Sequence, residues 1–152
     1  MNLRRSRGFT LIELLVAITI IAVASATVVV ALRNTGGADL EREALHLASV
    51  LEMARAEARA ASLEVTWQPD QGRFRFSGLP QDLVTRLKLD RGWMGEEPSV
   101  TIRGQTDANG RVRLGPEPII GAQHIVLTRG EAHITLGTDG LRPFTIERET
   151  PP

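Results

Sequence analysis

Glu13 is the one charged residue in the apolar run from Phe9 to Leu32. Within a membrane span a carboxylate costs about 2.5–3.5 kcal/mol near the middle and less toward the end, so it calls for a function and a named partner. If the chain is cut between Gly8 and Phe9, the new α-amine of Phe9 lies four residues from Glu13, one helical turn away. That amine has a reference pKa of about 7.7–8.0 and is mostly protonated at neutral pH. The positive end of a helix also favours an acid in the first turn. The chemistry these residues offer is charge pairing.

The basic start, Gly8, and then Phe9-Thr10-Leu11-Ile12-Glu13 ahead of a long apolar helix closely resemble the processing signal of type IV pilins and type II secretion pseudopilins. The match runs from Gly8 to Ile18, well beyond the minimal pattern. The resemblance implies that a prepilin peptidase cleaves Gly8–Phe9 and methylates the amine of Phe9. It also implies that Glu13 meets the N-terminal amine of a neighbouring subunit as helices pack into a filament.

As a helix, Phe9–Leu32 spans roughly 36 Å, enough for a hydrocarbon core of about 30 Å. Arg4, Arg5 and Arg7 precede it with no acid among them, which predicts a cytoplasmic N-terminus and an exported C-terminal part. One rival is an ordinary secretory signal peptide ending at Ala24-Ser25-Ala26. Against it, apolar residues continue through Thr27–Leu32, and Glu13 falls inside what would be the apolar core of the signal. A plain uncut anchor is the other rival. Ala22 and Ala26 are spaced for close helix approach, although alanine is common in any span. The run has no proline near Val30, where many major pilin-like subunits carry one, and this favours a minor subunit.

The 152 residues allow one globular domain behind the anchor, with about 115 residues after Gly37 to build a core. No cysteine is present, so disulfides and thiol or Cys–zinc chemistry are excluded. The formal charge is zero, but loss of Arg4, Arg5 and Arg7 leaves 15 basic against 18 acidic residues, a net of −3. That is not the footprint of a nucleic-acid binder, and Arg103, Arg111 and Arg113 read as solvated strand arginines.

Asn34-Thr35-Gly36-Gly37 predicts a kink or break over residues 33–39, because each glycine costs about 1 kcal/mol inside a helix. Asp39 is a candidate N-cap, with Glu41 and Glu43 placed for the helix dipole. From Leu40 to Ala61 the spacing of Leu40, Ala44, Leu47, Ala48, Leu51, Ala54, Ala58 and Ala61 predicts an amphipathic helix. Glu41, Glu52, Arg55, Glu57 and Arg59 fall largely off that face. Glu64–Gln68 and Arg73–Ser77 alternate as a hairpin with Val65, Trp67, Phe74 and Phe76 inward. Further strands are expected at Val84–Leu89, Val100–Arg103, Arg111–Leu114, His124–Thr128, His133–Leu136 and Phe144–Glu147. Trp93 in Gly92-Trp93-Met94-Gly95 reads as the cover of a small core rather than a partner contact.

Helix followed by antiparallel strands predicts an α+β fold in which a long N-terminal helix, transmembrane then amphipathic, packs on antiparallel sheet. The order resembles the H-type minor pseudopilin and its FimT-like relatives. That resemblance implies a pilin-like periplasmic domain over residues 40–152, behind a leader (1–8) and an assembly helix (9–32). His124 and His133 sit at the starts of strands joined by a short turn, which makes them candidate neighbours, but no further ligands have metal spacing. Asp107-Ala108-Asn109-Gly110 echoes a calcium loop, yet Pro116 stands where the bidentate glutamate belongs, so a β-turn is expected. No catalytic motif or cofactor fingerprint is present, and an enzyme is not expected. The expected role is a minor pseudopilin of the type II secretion pseudopilus, anchored in the bacterial inner membrane. Its expected partners are other pilin-type subunits, the prepilin peptidase and the inner-membrane assembly platform. The alternatives are a minor pilin of a type IV pilus and a periplasmic binding domain with an ordinary signal peptide.

Overall fold

The computed structural model describes residues 10–147, without the side chains of residues 26–35. Helix α1 runs from Leu11 to Ala61, and is followed by strands β1 (Thr66–Asp70) and β2 (Arg73–Ser77), helix α2 (Gln81–Leu87), and strands β3 (Ser99–Gly104), β4 (Val112–Arg113), β5 (Gln123–Arg129), β6 (Ala132–Thr138) and β7 (Thr145–Glu147). The chain divides into two units, one ending at Thr35 and one beginning at Gly36.

In the first unit the described side chains run from Thr10 to Ser25. Among the described residues no helix is long and apolar enough to cross a membrane. A span needs about 20 apolar residues, and the Phe9–Leu32 run extends beyond these side chains at both ends.

Helical pairing continues through Asn34–Gly37, so the expected break, and with it a helix start at Asp39, is not found. The unfavourable propensity of two glycines, about 1 kcal/mol each, does not end a helix whose next turns are held by core packing. Glu43 is therefore no first-turn acid. The glycine pair instead marks the boundary between the two units.

The second unit builds its core as the spacing predicted. Leu40, Ala44, Leu47, Leu51, Ala54 and Ala58 are fully buried and share one apolar cluster with residues of both sheets. Ala61, placed on that face by periodicity, is exposed because the helix is closing there. Ser62 takes a left-handed conformation, and the Leu63 N–H reaches back to the Ala58 carbonyl at 2.9 Å, which caps the helix and turns the chain into β1.

The strands form two antiparallel sheets, ordered β2-β1-β4 and β3-β5-β6-β7. The first hairpin forms with the expected faces inward, but its pairing is shifted by two residues from that of a turn over 69–72, with Trp67 opposite Phe76. Its turn is tighter than expected: Pro69 and Asp70 belong to β1, and only Gln71 and Gly72, both at positive φ, connect the strands. Val65, Trp67 and Phe74 are buried, while Phe76 is half-buried against the core. Phe74 stacks edge-on against Trp93 at 4.7 Å and Trp67 at 6.0 Å. Trp93 thus covers the core edge, leaving Met94 exposed.

Val84–Leu89 is not a strand. It belongs to α2 and its cap, because the Pro80 carbonyl accepts from Leu83 and Val84 and so opens a helical turn. Lys88 then adopts a left-handed C-cap and places Leu89 in the core. A segment this short, apolar only at Val84, Leu87 and Leu89, fits both periods, and the caps decide. β4 is also shorter than expected, two residues paired with β1.

Candidate functional site

Gly8, Phe9, Arg4, Arg5 and Arg7 lie outside the described residues, so the structure speaks to the motif from Thr10 onward. Thr10 precedes the first helical residue and caps the helix. Its carbonyl accepts from the Glu13 N–H at 3.1 Å and the Leu14 N–H at 3.2 Å, and its Oγ1 also accepts from the Glu13 N–H at 3.3 Å. Helix N-termini leave amides unpaired, and a threonine at this position satisfies one of them. The Thr10-Leu11-Ile12-Glu13 spacing is that of a capping box, a sequence signal that apolar periodicity alone misses. The consequence for Glu13 is that its backbone is fixed in the first turn while its side chain is exposed.

Around that acid the helix is apolar on every side. Leu11, Ile12, Leu14, Leu15, Val16, Ile18, Ile20, Ile21 and Val23 are between 49% and 82% exposed. Scattered surface leucines are ordinary, but a continuous apolar cylinder needs lipid or other helices to cover it. Thr19 and Ser25 do not interrupt it, since their hydroxyls donate to the carbonyls of Leu15 and Ile21 at 2.8 Å.

In the globular unit, three charged side chains of α1 reach distant loops. Glu43 is fully buried; its carboxylate accepts from the Met94 N–H at 2.9 and 3.0 Å and from Arg129 Nη2 at 3.3 Å. Arg55 is 1% exposed and donates to the carbonyls of Gly140 at 2.6 Å and Arg142 at 3.1 Å. Glu52 accepts from the Phe144 N–H at 3.0 Å. Arg55 was expected to lie off the core and Glu43 to serve the helix dipole, so both are corrections. A buried charge is tolerated where backbone groups supply hydrogen bonds to it, and here the 140–144 loop and the Met94 amide do so, although Arg55 Nε stays without a partner.

The histidines are not neighbours. His124 pairs across the sheet with Gly137 and His133 with Thr128, four residues apart along β5. His124 Nε2 lies 3.2 Å from Glu147 Oε1, and among the described residues no group of three metal-ligating side chains converges. Asp107–Gly110 forms the expected turn, closed by the Gly110 N–H on the Asp107 carbonyl at 3.0 Å. Burial alone would raise Asp107, but the Arg111 amide and guanidinium and the Asn109 amide outweigh it and hold the carboxyl below its ordinary range. Arg113 pairs with Glu117 at 3.0 Å and Arg111 with Asp107 at 2.6 Å, while Arg103 stands on the other sheet.

A groove of about 500 Å³ runs past His124, Thr138, Asp139, Arg142 and Glu147. Its polar side chains are matched locally: Arg142 Nε sits 2.8 Å from Asp139 Oδ2, and His124 Nε2 faces Glu147. The Arg142 amide and guanidinium, with the Leu141 amide, hold Asp139 down to about 2. A depressed carboxyl stabilises the fold above its ordinary value of 3.8, and that contribution is lost as pH falls through about 2. Carboxyl-detected NMR titration should therefore place Asp139 near 2, and Asp139→Asn should remove part of the acid dependence of stability below pH 3.8. A midpoint at the ordinary value would contradict the loop geometry.

Residues 3–29 match the family model described as Prokaryotic N-terminal methylation motif. The chain has no match among curated proteins or solved structures. The match includes the three arginines, Gly8, Phe9, Glu13 and most of the apolar run, and it leaves the globular unit unassigned. The chain thus carries a type IV prepilin-like signal that supports a pilin or pseudopilin, and this implies processing by prepilin peptidase and assembly with other pilin subunits.

Proposed function

We propose that this protein is a minor pseudopilin of H type, a structural subunit of a type II secretion pseudopilus. The observation that carries the reading is Glu13: a lone exposed acid in the capped first turn of α1, whose described residues from Leu11 to Val23 are otherwise uncharged and uncovered. The leader of residues 1–8 is removed, Phe9 becomes the N-methylated first residue, and the Phe9–Leu32 helix resides in the inner membrane. Its N-terminus is cytoplasmic and the globular unit periplasmic. The carboxylate of Glu13 then pairs with the terminal amine of a neighbouring subunit, which guides extraction and stacking. The role is mechanical, with no reaction and no cofactor. Absence of a proline near Val30 and of a calcium-loop ligand set supports a minor rather than a major subunit.

Mass spectrometry of the mature N-terminal peptide tests the processing. The expected peptide begins at Phe9 and carries one methyl group, whereas a chain starting at Thr27 would place the protein among ordinary secreted ones. Gly8→Asp should block leader removal and leave a slower-migrating precursor; unchanged processing would overturn the cleavage assignment. A minor pilin of a type IV pilus shares this N-terminal physics, so co-purification with secretion-system rather than pilus subunits separates the two.

A further inference from the structure

The four-stranded sheet ends on β3, whose inner side pairs with β5 along six residues and whose outer side meets no strand among the described residues. Open edges are usually short, covered or charged. The other edges fit that rule. β4 and β7 have two and three residues, and β2 is partly covered by the 91–93 segment, through the Phe74 N–H to the Arg91 carbonyl at 3.3 Å and a bridge from Arg73 to Gly92. β3 has none of these protections, with one charge, Arg103, near its end.

Its hydrogen-bonding parity follows from one contact. The Gln105 N–H donates to the Ala122 carbonyl at 2.8 Å, one step past the Gly104–Gln123 pair. Antiparallel alternation then directs the backbone of Ser99, Thr101 and Arg103 toward β5 and that of Val100 and Ile102 outward. Exposed Glu96 and Glu97 precede the strand and exposed Arg103 closes it, and no ion pair engages these three among the described residues.

We propose that the outer edge of β3 pairs antiparallel with β3 of a second copy of this chain, about a twofold at Thr101. In that register the outward-facing Val100 of each strand exchanges hydrogen bonds with Ile102 of the other, and their half-buried side chains extend one apolar face. Thr101 meets its counterpart at a non-hydrogen-bonded position. Each Arg103 opposes Ser99, one diagonal step from Glu97, so the basic end of each strand meets the acidic start of the other. A parallel arrangement would place like charges together. Six residues make a small interface, which suits copies held at high local concentration on one surface.

The chain has no cysteine, so Thr101→Cys introduces a single thiol. Opposed non-hydrogen-bonded positions lie about 4.5 Å apart between Cα atoms, within disulfide reach. In the full chain in its membrane, mild oxidation of Thr101→Cys should give a disulfide-linked dimer, while Thr145→Cys on the far edge stays monomeric. Arg103→Glu should lower the Thr101→Cys dimer severalfold, and adding Glu96→Arg with Glu97→Arg should restore it. Equal dimer at positions 101 and 145, an unaffected yield with Arg103→Glu, or a photo-crosslinker at Thr101 that captures only a different protein would each overturn the pairing.

Discussion

Arg55→Ala is expected to destabilise the globular unit by about 3 kcal/mol and to lower its Tm by roughly 10–15 °C. The side chain is fully enclosed, and its two terminal nitrogens hold the carbonyls of Gly140 and Arg142, 85 and 87 residues away in sequence. Truncation removes these charge-assisted hydrogen bonds, with a longer one to the Pro118 carbonyl at 3.5 Å, and leaves a void in the core. Glu52, 3.5 Å from Arg55, also loses its cation while still accepting from Phe144. The loop carbonyls keep second donors: Ile120 N–H to Gly140 at 3.2 Å and Thr138 Oγ1 to Arg142 at 2.6 Å. That residual satisfaction sets the estimate toward the low end of the range for breaking a buried charge pair. Arg59→Ala on the exposed side of the same helix should change stability by less than about 0.5 kcal/mol. Thermal melts of the two variants decide. Equal, small shifts would mean that Arg55 is not the tie between α1 and the C-terminal loops.

Arg55 also shows where sequence reasoning stops. The apolar stripe of α1 was legible because burial repeats every three to four residues, and Leu40, Ala44, Leu47, Leu51, Ala54 and Ala58 follow it. Helical periodicity says nothing about a charged residue between such positions. Whether Arg55 is solvated or enclosed depends on carbonyls brought near by the 138–144 loop, and no local pattern encodes that meeting. Glu43 is the same case, with its amide donor at Met94 and its cation at Arg129. The faces of the first hairpin were readable, because strict alternation puts Trp67 and Phe74 inward; its register was not, since a pairing shifted by two residues, with Pro69 and Asp70 inside β1, keeps the same faces. Val84–Leu89 was not, since six residues with Val84, Leu87 and Leu89 as their apolar positions fit strand and helix alike, and only the Pro80 and Lys88 caps choose between them. At the other end of the chain the site is written in a few letters. A single acid in an apolar run is conspicuous on energetic grounds alone, and the threonine three residues before it caps the helix that carries it.

Glu13→Val should leave membrane insertion and leader removal intact while lowering incorporation into filaments by more than tenfold. Insertion tolerates the change because valine removes the cost of a carboxylate in lipid. Cleavage tolerates it because the bond to be cut lies five residues upstream of the substituted position, and the Thr10 cap bonds to the backbone of residue 13, not to its side chain. Assembly, on the proposed role of Glu13, should not tolerate it. Two unit charges 4 Å apart attract by about 4 kcal/mol at an effective dielectric constant near 20, and the terminal amine of the neighbour would enter the packed helices with no counter-charge. Apolar packing of Leu11–Val23 cannot replace that term, since lipid covers those side chains as well as another helix does. On the proposed reading, register therefore rests on the acid: apolar contact is much the same at any register, and pairing of Glu13 with a chain terminus would select one. Glu13→Gln separates charge from shape, because it keeps the size and hydrogen-bonding reach but should fail almost as completely as valine. The measurement is recovery of the variant in sheared or pulled-down filaments, normalised to the processed membrane pool. Full incorporation of Glu13→Gln would show that the position is read by its shape, and the charge-pairing account of this helix would be wrong.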